Sequence, residues 1–231
     1  MPSHVRIVVT VKTYPNPSTK YDETVCTAGV DLDTHRFVRR SRDARGDTYT
    51  PDPDSIKPVD RFYKSNKPDW RRRDGLVLPL ASDLERLGKT AEAFEGSIGL
   101  VRITDDAQFY MQPDAPEWSE KQLAIINQES LFESSRRPLQ NIPWTFRYKF
   151  RCADNPECGG HDFQVFDWEP YELLRGQLKR WNLEKAKHDV LDKYNDQMGP
   201  RSRNVHLFVG TTISHPTQFS CIGVYAPPRL S

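Results

Sequence analysis

Five residues separate Cys152 from Cys158, and Gly-Gly-His161 follows directly. The pattern Cys-x5-Cys-x2-His brings two thiolates and an imidazole to the tip of one predicted hairpin. Tetrahedral zinc takes N and S donors of this kind, and glycines let the backbone wrap an ion. Three ligands are local; the fourth would be Asp162, His188, His206, His215 or a water. The same residues also fit two free thiols beside a hydrogen-bonded His161. Carboxylates lie close by: His161, Asp162, Asp167 and Glu169 form the candidate centre of a metal-dependent nuclease, with Mg2+ or Mn2+ activating water. On an extended strand His161, Asp167 and Glu169 share parity. Helix capping competes for the acids. Pro170 suits a first helical turn, Glu169 would cap it with Glu172 three residues on, and Asp167 would favour the positive helix end. Glu169 is followed by Pro170 and Tyr171, so no Glu-x-Lys completes a restriction-type motif.

Cations form three groups. Arg36, Arg39, Arg40, Arg42 and Arg45 fall within ten residues. Lys64, Lys67, Arg71, Arg72 and Arg73 follow, with Tyr63 and Trp70 interleaved. Arg147, Lys149 and Arg151 then occupy one face of a strand. Basic residues alternating with aromatics grip phosphates and stack bases, although a solvated polar loop has the same composition. Net charge is only +1. That figure is an average: residues 1–80 carry 15 basic against 11 acidic side chains, 81–135 carry 4 against 11, and 136–231 carry 14 against 10. Near-neutrality therefore does not exclude a polyanionic partner.

The 231 residues are enough for one large domain or two small ones with a real core. No stretch approaches the roughly 20 apolar residues of a membrane span, and the start MPSHVRIVVTVK is interrupted by polar residues unlike a leader. A cytoplasmic globular protein without membrane contact is the expectation. Four cysteines in such a chain do not suggest a disulfide framework, and Cys26 and Cys221 read as core. Gly88-Lys89-Thr90 fails as a phosphate loop, because Asp83 stands where a glycine is required. GxGxxG, GxSxG and HExxH are absent, and His35 and His206 read as structural.

The elements that must position these groups follow from periodicity. His4–Tyr14 reads as a strand with Val5, Ile7, Val9 and Val11 on one face; Thr24–Val30 and Phe37–Arg39 read as two more. Ser41–Asp74 reads as short strands or a long basic loop. Ser82–Phe94 and Trp118–Leu131 read as helices, the first capped by Ser82. Ser97–Tyr110 reads as strand, Asp-Asp turn, strand. In Trp144–Cys152 the residues Phe146, Tyr148, Phe150 and Cys152 share a core face, and His161–Trp168 pairs with this strand. Pro170–Met198 is helical in two pieces meeting at Asn182, and two apolar strands close the chain. The natural class is α+β. The division falls in Pro138–Pro143, giving segments 1–137 and 138–231.

Glu23-Thr-Val-Cys26-Thr-Ala-Gly29 followed by Phe37-Val38-Arg39-Arg40 resembles bacterial dual-OB-type domains, over about the first 40 residues. Arg39-Arg40 stands where that family places an Arg-Pro step. The run from Trp144 through Cys158-x-Gly160-His161 to Asp167-Trp168-Glu169 is similar to a bacterial family that brings no activity with it. The first resemblance implies an OB-like β-barrel that binds nucleic acid, beside defence or repair genes. The resulting expectation is an OB-like barrel followed by a β-rich subdomain with a Cys/His hairpin and a long helix. It would be an accessory factor that binds DNA or RNA through the three cationic groups and carries a structural Zn2+. The nuclease centre is the alternative; a protein-interaction subunit in a larger assembly, its acidic middle docking a basic partner, is the second.

Overall fold

The computed structural model describes residues 6–18, 22–24, 26–40, 48–49, 69–93, 96–115, 117–124, 141–212 and 215–229. In chain order these form β1 (Ile7–Lys12), β2 (Asn16–Ser18), β3 (Asp22–Thr24), β4 (Thr27–Asp31), β5 (Phe37–Arg40), β6 (Thr48–Tyr49), α1 (Trp70–Val77), α2 (Leu84–Glu92), β7 (Ile98–Arg102) and β8 (Gln108–Pro113). Then come β9 (Trp144–Phe150), β10 (His161–Val165), α3 (Trp168–Leu178), α4 (Leu183–Asp192), β11 (His206–Thr212) and β12 (His215–Tyr225). The class is α+β.

One six-stranded sheet runs β7-β11-β12-β10-β9-β8 and is antiparallel except between β10 and β12. Its two edge strands, β7 and β8, are consecutive in the chain and joined only by residues 103–107. So short a link forces the sheet to curl, and Ile103 bridges Cys152 where the ends approach. The predicted Asp-Asp turn is present, yet the strands it joins do not pair with each other. β7 and β8 share this sheet with β9 to β12, so the expected division at 137/138 runs through a continuous hydrogen-bonded layer.

The N-terminal strands make an open sheet in the order β1-β4-β5-β6, with β5 and β6 parallel. Among the described residues no closed barrel forms, because β1 and β6 end this sheet without pairing together. The face of β1 also differs from simple alternation. A bulge between Val9 and Val11 shifts the register. Val11 is buried and Val8 packs on the core beside it, while Ile7 and Val9 point outward. An extra residue reverses which side chains face inward, which period-two reading cannot anticipate. Gly29 lies inside β4 rather than in a turn, opposite Val9.

The large sheet buries both faces. Phe146, Tyr148, Phe150 and Cys152 alternate inward as predicted and pack with Tyr171, Leu174, Ala186, Val190 and Tyr194 from the helical layer. Phe109 stacks on Tyr194 at 4.5 Å in the same core. Each such aromatic contributes about 1.5–3 kcal/mol by leaving water. The opposite face, through Leu100, Phe208 and Ile222, packs against Val11, Ala28 and Val30 of the N-terminal sheet and Leu76 and Val77 of α1.

Local signals explain the helix ends. Asn182 caps α4 through the Lys185 N–H at 3.0 Å, so the predicted break is real. α2 is capped by Asp83 rather than Ser82: Asp83 accepts from the Arg86 N–H at 2.9 Å. α1 lies where a loop or strands were expected, with Asp69 accepting from the Arg72 N–H at 3.1 Å. Its Trp-Arg-Arg-Arg start hid a helix whose aliphatic residues come only at the far end.

Candidate metal centre

The β9–β10 hairpin places its three predicted ligands together. Cys152 follows β9, Cys158 sits in the connecting loop and His161 opens β10, and their donor atoms all lie within 4.8 Å of one another. Phe150 pairs with His161 in the register of the hairpin, so cross-strand pairing itself fixes one side of the group. Cys158 Sγ is 3.2 Å from His161 Nε2 and accepts the Cys152 backbone N–H at 3.2 Å. Gly160 takes φ +98°, a conformation that glycine adopts without the Cβ penalty. The imidazole packs against both Phe150 and Phe163, with ring centroids at 5.3 and 5.5 Å, and these two rings also touch each other.

Electrostatics divide the two thiols. Burial, followed by the hydrogen bond with Cys158, pushes Cys152 up to about 12. At Cys158 burial works upward too, but the N–H groups of Cys152 and Gly160 and the charge of Arg151 outweigh it and hold this thiol below its ordinary value. Burial lowers His161, which keeps the imidazole neutral and its nitrogen available. The Leu84 N–H, at the start of α2, hydrogen-bonds the Cys152 sulfur. Two sulfurs and one nitrogen, with N–H donors aimed at both sulfurs, suit a soft, borderline divalent cation such as zinc. The group can therefore bind a metal. It would clasp the hairpin tip against α2, where the ends of the sheet approach.

None of the four candidate fourth ligands belongs to this group. Asp162 points to the opposite face of β10, where its carboxylate accepts from Arg147 Nε at 2.8 Å and Tyr110 OH at 2.6 Å. His206 packs on Tyr225, with ring centroids 6.4 Å apart. His188 is exposed on α4 and His215 is exposed at the start of β12.

The proposed nuclease residues are not gathered either. His161 faces the thiols and Asp162 faces away from them. Asp167 stands six residues along from His161, about 20 Å on an extended chain. It is buried, and it rather than Glu169 caps α3, accepting from the Glu169 N–H at 3.1 Å and the Val224 N–H at 2.8 Å. Glu169 is exposed in the first turn. Shared parity along one strand associated His161, Asp167 and Glu169, but parity says nothing of distance or of what each side chain bonds.

The cationic residues are sorted by their partners. Arg147 binds Asp162 and also donates to Tyr110 OH at 3.0 Å, and Arg151 binds Asp106 at 2.6 Å. Those two rungs of the ladder are neutralised, while Lys149 is exposed. Arg73 lies over the rings of Trp70 and Tyr225, at 5.7 and 5.2 Å. Arg36, Arg71 and Arg72 are exposed. Arg39 and Arg40 belong to β5, and their side chains, like Arg42, Lys64 and Lys67, lie outside the described residues. Tyr110 escaped the sequence reading, because its role depends on β8 and β10 flanking β9.

Among the described residues no helix is long and apolar enough to cross a membrane. No curated protein and no solved structure matches the chain. Two family models do. Residues 3–39, which hold β1 to β4 and most of β5, match the one described as Domain of unknown function (DUF8758). Residues 81–231, well over half of the chain, match the one described as Domain of unknown function (DUF8757) and contain the whole six-stranded sheet, α2 to α4 and all three candidate ligands. The protein belongs to the DUF8757 family.

Proposed function

We propose that this protein binds nucleic acid through its N-terminal layer, and that a zinc ion at Cys152, Cys158 and His161 holds the sheet beneath it. The observation that carries the reading is the sorting of cations. Arg147 and Arg151 form ion pairs with Asp162 and Asp106 on the large sheet, while Arg36, beside β5, and Arg71, on α1, lie exposed on the layer that covers it. Exposed arginines are the groups that phosphate contacts require, and the resemblance of the first 40 residues to OB-type domains supports the same layer. The metal supplies cross-linking of the hairpin tip; no chemistry on the nucleic acid is assigned to it.

The test is binding of a labelled single-stranded and a double-stranded oligonucleotide across a salt series. The double variant Arg71→Ala/Arg72→Ala should weaken affinity about tenfold at low salt and reduce the salt slope by about 2. Arg147→Ala should change affinity far less. Absence of binding by the wild-type protein at low salt would reject this reading and favour an interaction subunit recognised by a protein partner.

A further inference from the structure

At the end of the β9–β10 hairpin away from the thiols, a cavity of about 160 Å3 opens beside Tyr14, Trp118, Trp144 and Tyr171. Drug-sized ligands use pockets of about 300–1,000 Å3, so this one takes a head group or a single side chain. Its lining mixes aromatic and polar side chains, and Tyr14 and Tyr171 in it are buried and stacked with centroids 4.5 Å apart. The two ends of the β8–β9 connection line it and are tied by the Asp114 N–H donating to Pro143 O at 3.0 Å.

The polar groups decide the ligand's sign. Asp114 and Glu117 line the cavity, and neither forms an ion pair with a described residue. Two of the lining donors are already used: Tyr171 OH donates to Val165 O at 3.2 Å and Asn141 Nδ2 to Ala115 O at 2.9 Å. Acceptor capacity remains in the two carboxylates, and the Thr145 hydroxyl is buried without a hydrogen-bond partner. Aromatic rings and carboxylates together favour an organic cation, held by ring quadrupoles and charge. A phosphate-bearing ligand would be repelled. The neighbouring Trp144 ring already holds Lys187 Nζ 4.6 Å from its centroid on one side, which shows this wall accepting an ammonium group.

We propose that this cavity is a recognition site for an alkylammonium group, presented by a small molecule or by a lysine-derived side chain of a partner. The site is independent of the metal and of the exposed arginines. The test follows tryptophan fluorescence during titration with choline, with its uncharged isostere 3,3-dimethylbutanol, and with N-acetyl-trimethyl-lysine amide. A saturable response to either cation, at least tenfold tighter than the isostere and weakened at least fivefold in Asp114→Asn/Glu117→Gln, supports the site. A tighter lysine derivative assigns it to a protein side chain, and tighter choline to a small molecule. Equal binding of the isostere, unchanged affinity in the double variant, or no saturation by either cation up to ~50 mM overturns it. Both replaced residues are exposed, so the variant retains the fold; unchanged thermal unfolding verifies this.

Discussion

The carboxylate of Asp167 and the backbone N–H of Val224 are joined at 2.8 Å across 57 residues of sequence. The other carboxylate oxygen caps α3 through Glu169, and Asp167 also bridges Thr13 in the N-terminal layer, whose neighbour Tyr14 donates its N–H to Phe166 O at 2.7 Å. The side chain thus joins the helical layer to a central strand, while the backbone of the same residue pairs with the segment that follows β1. Its chemistry is structural, because both oxygens are engaged by backbone donors.

Asp167→Ala removes a cap and leaves two buried N–H groups without partners. The expected loss is about 2–4 kcal/mol in urea unfolding, with zinc content unchanged. A stability within about 0.5 kcal/mol of wild type would refute the keystone role.

Burial pushes the Asp167 carboxyl up to about 7, against the opposing pull of the Glu169 and Val224 N–H groups. The folded state then holds this proton more tightly than the unfolded chain, whose carboxyl titrates near its ordinary 3.8. The group's contribution to stability is therefore fully present below about pH 4 and declines as pH rises to about 7, by at most about 1.4 kcal/mol per pH unit. Stability measured from pH 4 to 8 should show this decline, and Asp167→Asn should flatten it. An identical slope in the variant would show that other groups carry it.

Zinc ligation demands thiolates, and Cys152 sits at about 12 without a metal. Metal uptake must release protons, so apparent affinity should fall between about tenfold and 100-fold per pH unit as pH drops from 8 to 6. Competition with a chromophoric chelator measures this. The purified protein should hold one zinc per chain, lost in Cys158→Ser, and chelation should lower the unfolding temperature. Affinity that ignores pH would point away from cysteine ligation.

Two glycines separate close approach from simple propensity. A Cβ at Gly29 would stand 2.2 Å from the Val8 carbonyl oxygen, so Gly29→Ala must push β1 from β4 and should cost about 1–3 kcal/mol. A Cβ at Gly75 in α1 meets nothing within 4 Å, and Gly75→Ala should be neutral or stabilise by up to about 1 kcal/mol. Calorimetry on the pair checks both; equal effects would remove the packing explanation.

Much of the local architecture was legible from residue order alone. Alternation of Phe146, Tyr148, Phe150 and Cys152 defined a strand and its buried face, Asn182 marked a helix break, and the Cys-x5-Cys-x2-His spacing sufficed to gather three donors, because a hairpin is a local structure whose tip is formed by near neighbours. Non-local pairing decided the rest. The bulge in β1 turned Val9 outward, the curled sheet united strands from both sides of residue 137, and β8 with the turn before it brought Tyr110 to Arg147 of β9 and Asp106 to Arg151 just beyond it. Asp167 shows why composition could not assign its role. A carboxylate is the same group in a cap or in a catalytic cluster, and one of the two hydrogen bonds its oxygens accept comes from Val224, far away in the chain.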